Sequence, residues 1–176
     1  ETILSIADAV TFIEKRYKKK LNVGVCHPGS TNSDTGLIQN AYNSPWLNNM
    51  KFSEDISQNL NRRVMCENDA NCFALSESFD GSAKNYRIVF GIILGSGCGG
   101  GLVINKKILV GPNFLAGEWG HIPLGLINEK NNIQEHISGK GLERIYLKKN
   151  KKKLTAEEIF LKSKDRSSVE YNFTKD

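Results

Sequence analysis

No stretch of this 176-residue chain is apolar for long enough to cross a bilayer; the longest run, around Ile88 to Leu94, is far too short. The amino end, Glu1-Thr2-Ile3, lacks the basic region followed by an apolar one that marks a secretion signal, so neither a membrane span nor such a signal is expected in these residues. The four cysteines, Cys26, Cys66, Cys72 and Cys98, form no Cys-x-x-Cys pair, and all lie in or near apolar or glycine-rich segments. That pattern suits reduced thiols in a cytoplasm rather than a disulfide framework. There is no internal repeat, no heptad run and no low-complexity segment beyond two lysine tracts.

What is present is a globular composition, 39% apolar, enough to bury a core in one medium domain or two small lobes. The net charge of +5 invites a nucleic-acid reading, but the basic residues concentrate at Lys15 to Lys20 and Lys148 to Lys153. Both clusters fall at the ends of predicted helices, where cations complement the helix dipole, so nucleic acid is not expected as a partner. Ile3, Ile6, Val10 and Ile13 recur at helical spacing and predict a helix over 2–19, leading into a strand at Leu21 to Cys26. Asp34-Thr35-Gly36 signals a turn between extended pieces, and 53–60 reads as a helix with Ser53 as N-cap.

Val64 to Glu67 predicts a strand and Asp69 to Ser78 a helix, which puts Glu67-Asn68-Asp69 at a strand-to-helix junction. Arg87 to Leu94 reads as a buried strand, and Leu102 to Ile104 with Lys107 to Val110 as a hairpin around Asn105-Lys106. Helices are expected over 139–149 and 155–164, the second with Thr155 and Glu158 in a capping box, and 165–176 as a frayed polar tail. The alternation of strands and helices argues for an α/β fold.

Three segments could carry chemistry. Gly95-Ser96-Gly97-Cys98-Gly99-Gly100-Gly101 follows directly on a strand; so much glycine lets backbone N–H groups approach a ligand closely, the way phosphate oxygens are cradled, whereas a plain hairpin needs one or two glycines. It is neither a Walker A loop nor a dinucleotide fingerprint. Asp69, flanked by Asn68, could accept a proton from an attacking hydroxyl, although by spacing alone helix capping is the stronger reading of the pair. In Gly117-Glu118-Trp119-Gly120-His121, the carboxylate and imidazole could bind sugar hydroxyls and the aromatic could cover an apolar sugar face; alone this is a weak signal.

Taken together, five segments in order resemble the ROK family (repressors, open reading frames, kinases), in particular its bacterial fructokinase and N-acetylglucosamine kinase branch. They are Pro28-Gly29 after a strand, NAYNSPWLN at 40–48, ENDANCFALSE at 67–77, GIILGSGCGGG at 91–101 and GEWGH at 117–121, and the likeness runs over roughly 21–165. The resemblance implies an α/β, actin-like ATPase (ribonuclease H-like) two-lobed fold, present here in part, with 1–80 as the remainder of a sugar-binding lobe and 81–176 as the start of an ATP-binding lobe. It implies ATP with Mg2+ as cofactors, a hexose (fructose, N-acetylglucosamine, glucose or mannose) as substrate, transfer of the γ-phosphoryl to its 6-hydroxyl, and a cytoplasmic homodimer. By position, Asp69 is similar to the family's catalytic base. Asn68, Glu118 and His121 fall where the family contacts sugar, with Gly29 and with Asn43 or Asn48 from the preceding loops. Gly95, Ser96, Gly97, Cys98 and Gly99 match its phosphate loop, Ser96 standing for a common threonine.

The departures are also informative. The family's opening Asp-x-Gly-Gly-Thr hairpin is not found before Ile3, and its closing helices are not recognisable after Lys164, so both ends are expected to be missing from this chain. Many members carry a zinc site, Cys-x-Cys-Gly-x-x-Gly-Cys with the histidine corresponding to His121; 125–134 contains no cysteine, so His121 would bind zinc only with ligands from elsewhere. Gln134 sits near a glutamate that the family uses on the sugar. Cys26 and His27 replace a usual glycine and an apolar residue. The NSPWLN stretch and Trp119 lean toward the fructokinase-like branch. The alternatives are a ROK sugar-sensing transcriptional regulator, whose helix-turn-helix would lie upstream of residue 1, and a relative that binds a hexose without phosphorylating it.

Overall fold

The computed structural model describes residues 1–125 and 132–175. Helix α1, Thr2–Tyr17, ends where Lys18 turns left-handed at φ 50°. Its Ile3 and Ile6 pack against a core of Ile38, Ala41, Leu47, Phe52, Ile56 and Val64. Glu14 closes the junction behind the helix: it accepts from Arg62 Nη1 at 2.6 Å and from the Leu21 N–H at 2.8 Å. The Arg62 guanidinium, then the Leu21 amide, hold the Glu14 carboxyl below its ordinary range.

Strand β1, Gly24–His27, starts three residues later than predicted and runs parallel to β4, Met65–Asn68, with Cys26 opposite Glu67 and His27 opposite Asn68. This register sets the ends of both strands side by side, bringing Pro28-Gly29 against Asn68-Asp69. Between them the chain makes a short hairpin, β2 Ser30–Thr31 with β3 Ile38–Gln39, then a 3₁₀ turn at Pro45–Leu47 and helix α2, Phe52–Asn59. The predicted Asp34-Thr35-Gly36 turn is there: Asn32 Oδ1 accepts from the N–H groups of Asp34 and Thr35, and Gly36 takes φ 73°. Ser53 is not the N-cap of α2; that place falls to Lys51, and the Ser53 hydroxyl donates instead to Val64 O at 2.9 Å, stitching the helix to the segment before β4.

Helix α3, Asp69–Phe79, follows β4 without a linker and packs against a three-stranded antiparallel sheet of β5 Ile88–Leu94, β6 Cys98–Ile104 and β7 Lys107–Ile108. Ala74, Val89 and Val103 form the centre of that contact. Asn105 and Lys106, at φ 51° and 62°, make the predicted turn between β6 and β7 in the doubly left-handed conformation that matches strand twist. The expectation that β5 is buried on both faces is corrected: Val89 and Gly91 face α3, whereas Ile88, Phe90, Ile92 and Leu94 are exposed. An unbroken apolar run reads as covered on both sides, but among the described residues a helix covers only one. The division expected at 80/81 runs between α3 and the sheet on which α3 packs.

Of the remaining helices, α4 Gln134–Ile137 packs on α5 Gly139–Asn150, and α5, α6 Ala156–Lys162 and α7 Val169–Lys175 close around Tyr146, Leu154 and Ile159. The Thr155–Glu158 capping box forms as predicted. The expected frayed tail is instead helix α7: Ser168 Oγ accepts from the Tyr171 N–H, Phe173 meets the Tyr146 ring edge-on at 4.9 Å, and Glu170, buried, accepts from the Tyr146 hydroxyl at 2.8 Å. Two inward side chains suffice to order a segment whose composition reads as solvent-facing.

Candidate active site

A cleft of ≈ 740 Å³ lies between the β1–β4 edge and the β5–β6 turn. On one wall the strand-to-helix junction predicted at Asn68-Asp69 presents its side chains. Asn68 is the N-cap of α3, accepting through Oδ1 from the Asn71 N–H at 3.1 Å. Its Nδ2 donates to Gly29 O at 2.9 Å and to Asp69 Oδ1 at 3.1 Å. The Asn68 amide is thus occupied at three points by protein. Asp69 Oδ1 also accepts from the Ala70 N–H at 2.9 Å. Held at one oxygen, the exposed carboxylate has Oδ2 without a protein donor among the described residues, and the residue lines the cleft. Asn68 therefore takes the cap, and Asp69 is left available to the cleft.

The Gly29 turn is pinned by close packing. It takes φ 81°, and a Cβ there would meet the Ala41 N at 2.9 Å. Beneath it His27, 2% exposed, has Nδ1 3.1 Å from Pro28 O and Nε2 3.0 Å from Thr31 Oγ1. Pro28 O can only accept, so Nδ1 is the donor there, and the Thr31 hydroxyl meets Nε2. The loop after β3 brings Asn43 and Tyr42 to the cleft rim, whereas Asn48 does not line the cleft: its Oδ1 accepts from the Ala41 N–H at 2.9 Å and shapes the loop from inside.

On the opposite wall the glycine-rich segment separates into two parts with different causes. Gly95, Ser96 and Gly97 form the loop of the β5–β6 hairpin and line the cleft. Gly95 O accepts from the Gly139 N–H at 2.8 Å and Ser96 O from the Lys140 N–H at 3.4 Å, so the loop leans by its carbonyls on the start of α5. The N–H groups of Ser96 and Gly97 have no acceptor among the described residues, and a Cβ at Gly95 would meet nothing within 4 Å. Gly99, Gly100 and Gly101 belong to β6, and at the last two glycine is required by packing: added Cβ atoms would lie 2.6 Å from Trp119 at Gly100 and 2.6 Å from Ala70 O at Gly101. Cys98 is buried against Gly120, and burial pushes its thiol up.

Glu118, just before a 3₁₀ turn, and His121, the last residue of that turn (Trp119–His121), line the cleft, with His121 Nε2 3.7 Å from Glu118 Oε2. Trp119 is not available to cover a sugar: its Nε1–H donates to Gly99 O at 2.8 Å and its ring lies against Gly100 and, edge-on, Phe90 at 6.0 Å. The aromatic at the cleft is Tyr42, whose ring rests on His121 with centroids 5.4 Å apart. Its signal in the sequence was an exposed aromatic beside Asn43. Lys140, Gln134, Glu135 and Arg144 also line the cleft, brought there by α4 and α5. Arg144 is paired with Glu135, which leaves Lys140 as a cation without a carboxylate partner among the described residues. Ser138-Gly139-Lys140-Gly141, a capped helix start with two small residues, was the legible sign of that corner; Ser138 Oγ accepts from the Gly141 N–H at 3.0 Å.

Among the described residues no cluster of three or more His, Cys, Asp or Glu side chains is placed to hold a metal ion, and the neighbours of His121 are the Glu118 carboxylate at 3.7 Å and the Tyr42 ring. The 125–134 segment, where many family members carry zinc-binding cysteines, falls largely at 126–131, outside the described residues; it contains no cysteine, so the zinc ligand set that the resemblance implies does not fit this segment. No helix among the described residues is long and apolar enough to cross a membrane.

Residues 1–175 match the model of the ROK family. The chain is 35% identical over 185 aligned positions to the N-acetyl-D-glucosamine kinase of Histophilus somni, an alignment that covers 94% of this chain and 60% of that one. It superposes on the ROK hexokinase of Thermus thermophilus with a TM-score of 0.81 at 22% identity, over 97% of this chain and 59% of that one. It also superposes on a ROK transcriptional regulator, a homologue of the E. coli MLC protein, with a TM-score of 0.74 at 18% identity, over 98% and 48%. The chain spans about 60% of the curated relative it matches. The shared fold is the actin-like ATPase fold, of which the described residues form part, and the chain belongs to the ROK family.

Proposed function

We propose that this chain forms part of an ATP-dependent hexose kinase that transfers the γ-phosphoryl group to a sugar hydroxyl in the cleft, the 6-hydroxyl in this reading. The observation that carries it is Asp69, held at Oδ1 by Asn68 and Ala70 with Oδ2 left without a protein donor, across a cleft from the open Gly95–Gly97 loop. A carboxylate fixed at one oxygen can take the hydroxyl proton at the other as that hydroxyl attacks phosphorus. Glu118 and His121 orient the sugar, with Asn43 at the rim and Gly29 at the base.

The N–H groups of Ser96 and Gly97, the Ser96 hydroxyl and Lys140 suit the phosphates of ATP, and the absence of a Cβ at Gly95 leaves the backbone open to close approach. Magnesium travelling with the nucleotide supplies charge neutralisation on the phosphate oxygens when bound. Phosphoryl transfer asks mainly for positioning and charge stabilisation, which a cleft with carboxylates at one end and amides with a lysine at the other provides. The name of the Histophilus somni relative ranks N-acetylglucosamine ahead of fructose; the lean toward fructose loses one support because Trp119 is a strut of the wall. The reading carries with it a sugar lobe over 1–80, an ATP lobe from 81, a cytoplasmic setting and a homodimer.

The test is ADP release coupled to a reporter, with the intact protein, MgATP and a panel of hexoses. Release dependent on one sugar supports the kinase, and Asp69→Asn is expected to lower turnover by at least about 100-fold with sugar affinity nearly unchanged. Sugar binding without sugar-dependent release would favour a sensor, the second reading that the regulator's superposition keeps in view.

A further inference from the structure

Behind the sugar-facing wall is a second cavity of ≈ 10 Å³, bordered by Ser30, Asn68, Asn71, Phe114, Gly117 and Glu118. Two of its polar atoms are buried without a protein partner among the described residues: Ser30 Oγ and Asn71 Oδ1. Ser30 is 7% exposed, so bulk solvent does not satisfy it. The Asn71 amide is oriented by its other end, since Nδ2 donates to Glu67 Oε1 at 3.2 Å; the carbonyl end is therefore the one left unpaired. A buried polar atom with no partner is rare in folded proteins, and two beside one cavity are better explained by a shared ligand than by two separate losses.

We propose that this cavity is a built site for one water molecule, which ties Ser30 and Asn71 to Glu118 and so positions the Glu118 carboxylate on the sugar. The volume admits one water and nothing larger. The donor and acceptor count closes: the Ser30 hydroxyl donates to the water, and the water donates to Asn71 Oδ1 and to Glu118. Glu118 needs such a restraint. Its contact with His121, at 3.7 Å, is beyond hydrogen-bond length, so among the described residues no protein donor fixes its carboxylate. Ser30 sits in β2, Asn71 on the first turn of α3 and Glu118 beside the 3₁₀ turn, so the water joins three elements, of which α3 and the 3₁₀ turn border the cleft. The hydration site stands on the geometry alone; its effect on catalysis rests on the kinase reading.

The first test is a crystal structure of the intact protein that resolves ordered water. A density peak within hydrogen-bond distance of both Ser30 Oγ and Asn71 Oδ1 is expected; an empty cavity, or a Ser30 hydroxyl turned to a protein acceptor, overturns the site. The second is kinetic. Ser30→Ala is expected to raise the sugar KM about 3- to 10-fold with kcat within about two-fold, and Ser30→Ala added to Asn71→Ala, which also loses the bond to Glu67, should cost little more than Asn71→Ala alone, because the shared bridge is already broken there. Fully multiplicative effects, or a lower kcat at unchanged KM, overturn the positioning role. Sugar affinity by calorimetry gives the same comparison in a protein without turnover, so a failure of the kinase reading is told apart from a failure of this one.

Discussion

Gly101→Ala tests how the sheet sets the position of the Asn68-Asp69 junction, the catalytic one in the proposed reading. The new Cβ would lie 2.6 Å from Ala70 O and 2.9 Å from both Ala74 Cβ and Asn71 Cα. None of these is the far end of a flexible side chain, so relief requires α3 to move off the sheet. Ordinary contact begins near 3.4 Å, which makes the displacement about 0.8 Å at the first turn of α3, where Asn68 and Asp69 sit. Overpacking of this kind destabilises by about 1–3 kcal/mol. A shift approaching 1 Å at a catalytic group costs on the order of 100-fold in rate. Urea unfolding and ADP release on the same preparation measure both, and Gly95→Ala is the control, because a Cβ there meets nothing within 4 Å. Gly95→Ala should keep its unfolding midpoint and lose nucleotide affinity, whereas Gly101→Ala should lose stability and turnover together. Wild-type stability and turnover in Gly101→Ala would refute the packing argument.

Tyr42→Ala should raise the sugar KM several-fold with little change in stability, since the ring is exposed and rests on His121, and Tyr42→Phe should stay near wild type; initial rates across sugar concentrations check both. Because Arg62, then Leu21, lower the Glu14 carboxyl, that group contributes stability above its unfolded pKa and loses it as pH falls through the lower folded value. Arg62→Ala should therefore narrow the stability gap to wild type as the pH is lowered through that range, read from unfolding midpoints. Burial, then the Cys26 thiol and the Glu67 and Asp69 carboxylates, push the Cys72 thiol up to about 12, so at neutral pH a maleimide should label the exposed Cys26 and leave Cys72 unmodified, as peptide mass mapping would show.

The sequence was informative where chemistry is local. The β4–α3 junction at Asn68-Asp69, the Asn105-Lys106 turn and the Thr155 capping box each follow from side chains within a few residues, and each is found where it was expected. Pairings across the chain were not legible. Whether β5 has one covered face or two depends on what packs on it, and nothing in Ile88 to Leu94 encodes that. The seven residues from Gly95 read as one loop because composition cannot separate glycine needed for approach by a ligand from glycine needed for approach by Trp119 and α3. Asn48, Trp119 and the 165–175 tail were misjudged for one reason: each was assigned by residue type, while its partner, Ala41, Gly99 or Tyr146, lies elsewhere in the chain.

Asn68 has a consequence for how this family member can change over time. Its amide serves Asn71, Gly29 and Asp69 at once. Aspartate would keep the cap but lose both donated bonds and set a second negative charge beside Asp69; serine would cap without reaching Gly29; alanine would lose all three links. None of the three keeps the bond to Gly29. Drift at position 68 should therefore disturb the Gly29 side of the cleft whichever of these residues replaces asparagine, and a descendant chain that has lost it is expected to hold that turn by another contact.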